Sequence, residues 1–184
     1  MTRGDLVTGS GETDPTPGCP GRPGVTGRTA ARLAAIQALY QMRMTDGDAT
    51  SVIADFLGQH SAPAGQGPEG VDLERADRDF FADLVRGVAR ESESLDDMVS
   101  AVIDEDWPVE RLESLLRLIL AAGAFELGHR PEVPARVVVS QYVDLAHAFL
   151  DDRQTALANG VLDSLARHLR PEEFAGEPVP DLTG

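Results

Sequence analysis

The side chains best suited to binding chemistry are three arginines in one segment, RTAARLAAIQALYQMRM, which begins at Arg28. Drawn as a helix, the segment places Arg28, Arg32 and Arg43 within about 60° of one another. No acidic residue interrupts it before Asp46. Guanidinium groups bind phosphate through paired hydrogen bonds. Two interpretations therefore stay open at this point: a solvated helix face, or a strip that contacts nucleic-acid phosphates.

The charge of the whole chain limits what this strip could bind. Thirty-one acidic residues stand against 16 basic ones, giving a formal net charge of -15, and every one of those basic residues is Arg. Phosphates are repelled by such an average field, which disfavours indiscriminate binding to nucleic acid or to anionic membranes. A local basic patch is still compatible with this charge, and a basic protein partner is favoured by it.

The sequence predicts no metal site, no cofactor and no catalytic residue. The four histidines, His60, His129, His147 and His168, are scattered, and the single Cys19 lies in a Pro/Gly-rich stretch. Neither pattern has the spacing of a zinc site or a disulfide framework. No phosphate-binding P-loop and no nucleophile elbow occurs.

One glycine motif imitates a nucleotide site. Gly65, Gly67 and Gly70 spell G-x-G-x-x-G, but a Pro/Ala stretch precedes them and Pro68 interrupts them. A dinucleotide fingerprint needs a strand before it and a helix opening within it. We therefore expect a loop here and no phosphate site.

The element that must position the other helices is predicted at residues 107–128. Pro108 suits the first helical position, and Gly128 is a stop signal. The unbroken apolar run is about half of the ~20 residues that a bilayer requires, so no membrane span is expected. A helix apolar over most of its circumference is wrapped by other elements. These apolar residues are Leu112, Leu115, Leu116, Ile119, Leu120, Gly123 and Leu127.

Glu126 is the exception on this helix, because the helical wheel places it among Leu115, Ile119 and Ala122. A buried carboxylate needs hydrogen-bond donors. We expect Glu126 to be a structural residue near the helix end, either hydrogen-bonded or extended so that its carboxylate reaches solvent, and not a catalytic one.

Six further stretches have the apolar spacing of amphipathic helices. Tyr40, Met44 and Phe149 are expected on core-facing sides, and Gly160 is expected at a close helix contact or a local break. The stretches are residues 28–44, 48–57, a segment from Leu73 onward, a segment capped by Ser94 and Asp97, 135–150 and 153–168.

The predicted domain organisation is one helical domain with two tails. Residues 1–27 are expected to be a disordered N-terminal tail, 28–170 the helical domain, and 171–184 a flexible C-terminal tail, because the tails are polar and rich in Gly or Pro. No signal peptide is recognisable at the N-terminus, which predicts a cytoplasmic protein.

Several segments, in order, resemble the NusB family of bacterial transcription antitermination factors. The resemblance covers about residues 28–170, and its two ends are its most specific parts. The matching segments are AIQALY at 35–40, LVRGV at 84–88, the turn at Trp107, Leu116-Arg117, Phe125-Glu126-Leu127, Val133-Pro134, YVDLA at 142–146 and NGVLD at 159–163.

This resemblance implies an all-α, NusB-like fold of two small helical bundles, with about seven helices around a buried central helix. It also implies a non-enzymatic factor that pairs with a small-subunit ribosomal protein, NusE, and binds boxA RNA in the nascent transcript. Together they would modify the elongating RNA polymerase complex. The basic strip of the family corresponds to Arg28 and Arg32, and Arg117 and Arg153 are weaker candidates for the same RNA-binding surface.

Two other functions remain open. A NusB-like domain also precedes the catalytic domain of some ribosomal RNA cytosine methyltransferases, but a methyl-donor domain would need some 200 further residues and the sequence ends at Gly184. The other alternative is a scaffold that binds protein only. It is favoured if the arginine strip is engaged in salt bridges.

Overall fold

A computed structural model describes residues 27–59, 76–103, 109 and 112–175. Within these ranges the chain forms seven α-helices and a short 3-10 turn, with no strand. The expected N-terminal tail lies outside them except for Gly27, as does the glycine motif at 65–70. The helices are α1 (Gly27–Thr45), α2 (Ala49–Gln59), α3 (Arg78–Arg90), α4 (Ser92–Ser100), α5 (Ser114–His129), α6 (Ala135–Phe149) and α7 (Asp152–Leu169), and Pro171–Phe174 form the 3-10 turn.

Helix α5 is the centre around which the others pack. Helices α1, α2 and α3 pack together on one side, α6 packs on α7 on the other, and α5 contacts α1, α3, α4, α6 and α7. Every residue from Leu118 to Leu127 is buried. These contacts confirm the predicted all-α fold of about seven helices around a buried central helix.

The start of the central helix differs from the prediction. Helix α5 begins at Ser114, because Glu113 before it has an extended backbone with ψ at 139°. Before it, Val109 and Leu112 are both buried, and the Leu112 amide donates to the Val109 carbonyl at 3.2 Å, a bond to the third preceding residue that closes a turn and not an α-helix. Burial of apolar residues in a turn imitated helical periodicity, so the predicted start at Pro108 is wrong.

The predicted cap of α4 is also wrong. The chain passes from α3 to α4 through Glu91 alone, whose amide donates to Gly87 while its carbonyl accepts from Leu95. Helical hydrogen bonding therefore continues across the junction, and Ser94 lies inside the first turn of α4. A side-chain cap is found instead at the start of α3, where the Asp77 carboxylate accepts from the Phe80 amide at 3.0 Å.

Glycine allows close helix approach at two positions that the sequence did not single out. A Cβ added at Gly87 would lie 2.0 Å from the Phe125 ring, and one added at Gly123 would lie 2.6 Å from Leu162. Gly160, where a close contact or a break was expected, has neither: α7 is continuous, and no heavy atom lies within 4 Å of an added Cβ. That expectation was wrong.

The C-terminal end of the domain is fastened by Arg170. Its buried guanidinium donates to the carbonyls of Glu126, Leu127, Arg130 and Val133, at the end of α5 and in the turn that follows. Glu173 joins this arrangement by binding Arg170 and by accepting from the Ala135 amide at 2.7 Å.

The packed region extends beyond the predicted boundary at residue 170. The Phe174 ring is buried, and Arg136 and Arg167 lie 5.2 and 4.9 Å from its centroid. Residues 171–174 are therefore part of the fold and not of a flexible tail, because their two key side chains, Glu173 and Phe174, bind the ends of α6 and α7. Residues 176–184 lie outside the described ranges.

Candidate nucleic-acid and partner interface

Arg28 lies at the exposed N-terminus of α1, with 44% of its side chain accessible to solvent. Its guanidinium carbon is 5.4 Å from the centroid of the buried Phe80 ring. Its nearest carboxylates, Asp77 and Glu132, are each 4.0 Å away, beyond hydrogen-bonding distance. The structure thus places Arg28 on the surface, in two loose ion pairs.

Arg32, one turn later, is not on that surface. Only 3% of it is exposed, and its Nε donates to Glu126 Oε2 at 2.9 Å while Nη2 binds the other carboxylate oxygen. Burial acts to lower the pKa of Arg32, but the hydrogen bonds and charge of Glu126 outweigh it and raise that pKa. The prediction that Arg32 contacts RNA is therefore corrected: its donors face a buried carboxylate.

Glu126 is the centre of a buried polar network. Besides Arg32 it accepts from the Tyr142 hydroxyl at 3.0 Å, and Glu126 and Tyr142 are completely buried. Gln141 extends the network by accepting from Thr29 at 2.6 Å and from Arg32 at 3.4 Å. Glu126 is therefore hydrogen-bonded within the fold and does not extend to solvent, and the network joins α1, α5 and α6.

Arg117 and Arg153 lie near the other end of α5. The Arg117 guanidinium binds both oxygens of Asp96 on α4 and is a quarter exposed. Arg153 is exposed in the first turn of α7, next to Gln154, whose side chain donates to Glu113 just before α5. About nine residues of α5, or ~14 Å, separate Arg117 from Glu126. The four predicted arginines therefore form two separate groups.

Arg130 is a surface arginine that the sequence reasoning missed. It follows α5, is 29% exposed, and lies 5.6 Å from the Phe80 centroid. It binds Asp83 and is 3.8 Å from Glu132. Asp83 is 47 residues away from Arg130 in the sequence, and Arg28 lies on another helix. No spacing within the sequence therefore predicts that these side chains lie together. We call Arg28, Arg32 and Arg130 around Phe80 the Phe80 cluster.

A second surface feature is an apolar groove beside α1. Tyr40 and Phe149, expected in the core, are 42% and 52% exposed on its walls, and Met44 is also exposed. The groove, called here the α1 groove, has a volume of about 350 Å³. A concave surface of this size lined mainly by apolar and aromatic side chains is a candidate binding site. The groove is lined by Leu33, Ile36, Gln37, Tyr40, Gln41, Phe56, Glu113, Leu115 and Phe149.

Metal and membrane chemistry find no support in the ranges that the structure describes. No group of three or more His, Cys, Asp or Glu side chains there could hold a metal ion. None of the described helices is both long and apolar enough to cross a bilayer.

Comparisons with known proteins agree with one another. The family model described as "NusB family" matches residues 29–167. The Transcription antitermination protein NusB of Rhodopseudomonas palustris strain TIE-1 is 45% identical over 146 residues, covering 79% of this chain and 82% of the relative.

Solved structures have the same fold. NusB of T. maritima superposes with a TM-score of 0.64 at 23% identity, covering 80% of this chain and 96% of that one. A crystal structure of antitermination factors NusB and NusE in complex with dsRNA contains a chain that superposes with a TM-score of 0.58 at 20% identity, covering 77% and 97%. The family match over residues 29–167 and the 45% identity to a NusB protein show that the chain belongs to the NusB family of transcription antitermination proteins.

Proposed function

We propose that the protein is a non-catalytic, cytoplasmic antitermination factor that pairs with the ribosomal protein NusE and binds boxA-type nascent RNA. In this role the pair modifies the elongating RNA polymerase. The observation that carries the proposal is that a single helix, α1, borders both the α1 groove and the exposed part of the Phe80 cluster. The names of the relatives and of the NusB–NusE–dsRNA complex support it.

The α1 groove is the proposed binding site for the protein partner. Tyr40 and Phe149 offer aromatic surface in a concave setting, which is the composition of interface hot spots. The net charge of -15 complements a basic ribosomal protein and accelerates its association at low salt. The partner would cover apolar side chains that α1 and α6 leave exposed.

RNA contact is proposed at Arg28, Arg130 and Arg153. Arg28 and Arg153 are exposed, and Arg130 is 29% exposed and binds Asp83 but lies beside Arg28 over the Phe80 ring. Arg32 is buried against Glu126, and Arg117 binds both oxygens of Asp96 at the other end of α5. With so few phosphate contacts on an acidic body, the protein alone would bind RNA weakly, with a salt slope of about 0.7 per neutralised phosphate. NusE would strengthen binding by supplying basic surface.

A protein-only scaffold is the second candidate, and the structure offers a specific reason to consider it. Two of the four predicted arginines, Arg32 and Arg117, bind carboxylates. If the remaining exposed arginines do not contact RNA, the α1 groove still accounts for a partner-binding function.

The partner test compares exposed apolar residues inside and outside the groove. Tyr40→Ala and Phe149→Ala should each weaken NusE binding by roughly tenfold or more, as for truncated hot-spot residues. Val137→Ala is the matched control, because Val137 is also a large exposed apolar residue but does not line the groove. Calorimetry measures all three, and equal affinities would refute the groove assignment.

The RNA test uses Arg28→Ala in the heterodimer with NusE. Binding to a boxA-type RNA should weaken by about 1–3 kcal/mol for each charge-assisted hydrogen bond that the substitution removes, while NusE binding stays unchanged. Unchanged RNA binding for Arg28→Ala, Arg130→Ala and Arg153→Ala would favour the protein-only scaffold.

A further inference from the structure

We propose that Glu132 is a built-in competitor for RNA phosphate: it occupies the space between Arg28 and Arg130 and weakens their binding to RNA. The inference rests on the proposed RNA-binding function and adds two elements to it. Arg28 and Arg130 act as one phosphate-binding pair, and a residue of the chain itself limits their affinity.

The geometry starts with a single carboxylate oxygen that faces two guanidiniums. Glu132 Oε1 is 4.0 Å from Arg28 Nη2 and 3.8 Å from Arg130 Nη1. Both separations exceed the 2.7–3.2 Å of a hydrogen bond, so the attraction is mainly that of opposite charges. An anion with more oxygens and more charge, such as a phosphate, can bind the same two groups through paired hydrogen bonds.

The two guanidiniums are held ready for such an anion by Phe80. The ring is buried, and the guanidinium carbons of Arg28 and Arg130 lie 5.4 and 5.6 Å from its centroid. At this range a cation is attracted to the face of an aromatic ring. Arg130 is also braced by Asp83 on α3. The pair therefore needs little reorganisation to bind a phosphate.

Glu132 differs from the other acids that face the pair. Asp77 caps α3 through the Phe80 amide, and Asp83 binds Arg130 directly, so each of them has a structural role. The Glu132 side chain is 47% exposed, and among the residues that the structure describes it makes only the long ion pairs with these two arginines. Arg170 meanwhile holds the backbone on either side through the Arg130 and Val133 carbonyls. Glu132 can thus turn toward solvent without disturbing the fold.

The ion pair between Arg32 and Glu126, which is also next to Phe80, provides a comparison with the pairs that Glu132 forms. There the carboxylate is buried and hydrogen-bonded by the guanidinium at 2.9 Å. Glu132 has neither property, and a pair that is long and exposed exchanges readily for another anion. RNA binding would therefore displace Glu132 and leave Glu126 in place.

The experiment measures binding of a short boxA-type RNA to the complex with NusE for wild type and Glu132→Gln. We expect Glu132→Gln to bind roughly three- to tenfold more tightly at low salt, with a gain that shrinks as salt screens the charges. In an Arg28→Ala/Arg130→Ala background the same substitution should give no gain.

Asp46→Asn is the matched control. It removes the same charge from the opposite end of α1, about 27 Å from Arg28 along the helix axis. Asp46 has φ at 52°, a conformation that Asn tolerates well, so folding is unaffected. We expect its RNA affinity to stay within about twofold of wild type at about 0.1 M salt, because the Debye length there is about 10 Å and Arg28 is more than twice that distance away.

Three results would overturn the inference: an affinity of Glu132→Gln within twofold of wild type, a gain equal to that of Asp46→Asn, or a gain that persists without the two arginines. If Arg28→Ala and Arg130→Ala weaken binding while Glu132→Gln does not strengthen it, the competitor role fails and the RNA-binding proposal stands. If none of the complexes binds RNA, both fail.

Discussion

Arg28 and Arg32 lie one turn apart on α1, and both lie within 5.5 Å of the Phe80 centroid, yet their environments differ in every other respect. Arg28 is exposed, and its carboxylate neighbours are 4.0 Å away. Arg32 is buried and hydrogen-bonded to a buried carboxylate. The different roles of these two arginines therefore follow from whether the carboxylate that each faces is buried or exposed, and not from their positions on the helix. The α1 helix uses one arginine to fix its position and leaves the other available.

The largest expected change in stability comes from breaking the buried ion pair between Arg32 and Glu126. Arg32→Ala should lower the free energy of unfolding by about 3–5 kcal/mol, because it leaves the Glu126 charge buried without its partner. Urea denaturation measures this. Arg32→Met combined with Glu126→Leu and Tyr142→Phe should recover most of the loss, since neither an unpaired charge nor an unpaired Tyr142 hydroxyl remains. A loss below about 1 kcal/mol for Arg32→Ala would mean that water reaches Glu126.

A smaller effect is expected from removing the hydroxyl that shares Glu126 with Arg32. Tyr142→Phe should cost about 1.5–3 kcal/mol at neutral pH, the range for a hydrogen bond to a charged group. The same denaturation measurement tests it. A cost near zero would show that Arg32 alone satisfies the carboxylate.

The pH dependence of that cost sharpens the prediction. Burial, and then the charge of Glu126, raise the pKa of Tyr142 well above its ordinary value of 10.0. Above pH 10 the unfolded chain therefore ionises this tyrosine while the folded chain does not, so wild type loses stability as pH rises. The difference in the free energy of unfolding between wild type and Tyr142→Phe should therefore decrease by up to about 1.4 kcal/mol per pH unit. A constant gap from about pH 8 to about pH 11 would contradict the assigned shift.

Glycine provides the same contrast between interior and surface for a different residue. Gly87→Ala should cost about 1–3 kcal/mol, because the added Cβ would overlap the Phe125 ring. Gly160→Ala is the matched control in open space, and it should stabilise the protein by up to about 1 kcal/mol through helix propensity. Thermal melting of both variants checks the pair. Destabilisation by Gly160→Ala would reveal a contact at that position.

The smallest effect is expected on the exposed side of the first comparison. Arg28→Ala should change the free energy of unfolding by less than about 0.5 kcal/mol, since long exposed ion pairs contribute little. This near-neutrality makes Arg28 a clean probe of RNA binding, and the same logic excludes Arg32 from such a test. A loss above about 1.5 kcal/mol would place Arg28 in the structural network.

Most of the fold could be predicted because helical periodicity is a local signal. The apolar spacing around Ile119 indicated a buried central helix, and the position of Glu126 among apolar residues indicated a need for donors. Helix starts were less accessible. Val109 and Leu112 continue the apolar pattern of α5 although they lie in the turn before it.

The candidate site was harder to predict because its contacts join distant segments. Arg32 and Glu126 are 94 residues apart. The sequence indicated that Glu126 needs hydrogen-bond donors, but it did not indicate that Arg32 supplies them. The exposure of Tyr40 and Phe149 was equally hidden, since an apolar residue on a helix face reads the same whether a neighbouring helix covers it or leaves a groove. The burial of a side chain depends on how the helices pack against one another, which the sequence of a single helix does not show.

The Arg170 guanidinium also has a consequence for the order in which the chain folds during synthesis. The four carbonyls that it binds belong to residues made 37 to 44 positions earlier, at the end of α5 and in the turn to α6. Those acceptors wait for their donor until α6 and α7 have been synthesised. The α1–α3 bundle emerges from the ribosome long before, and domains fold from the N-terminus as they emerge. The hydrogen bonds that fasten the end of α5 therefore cannot form until Arg170 has been synthesised, after every α-helix of the described domain.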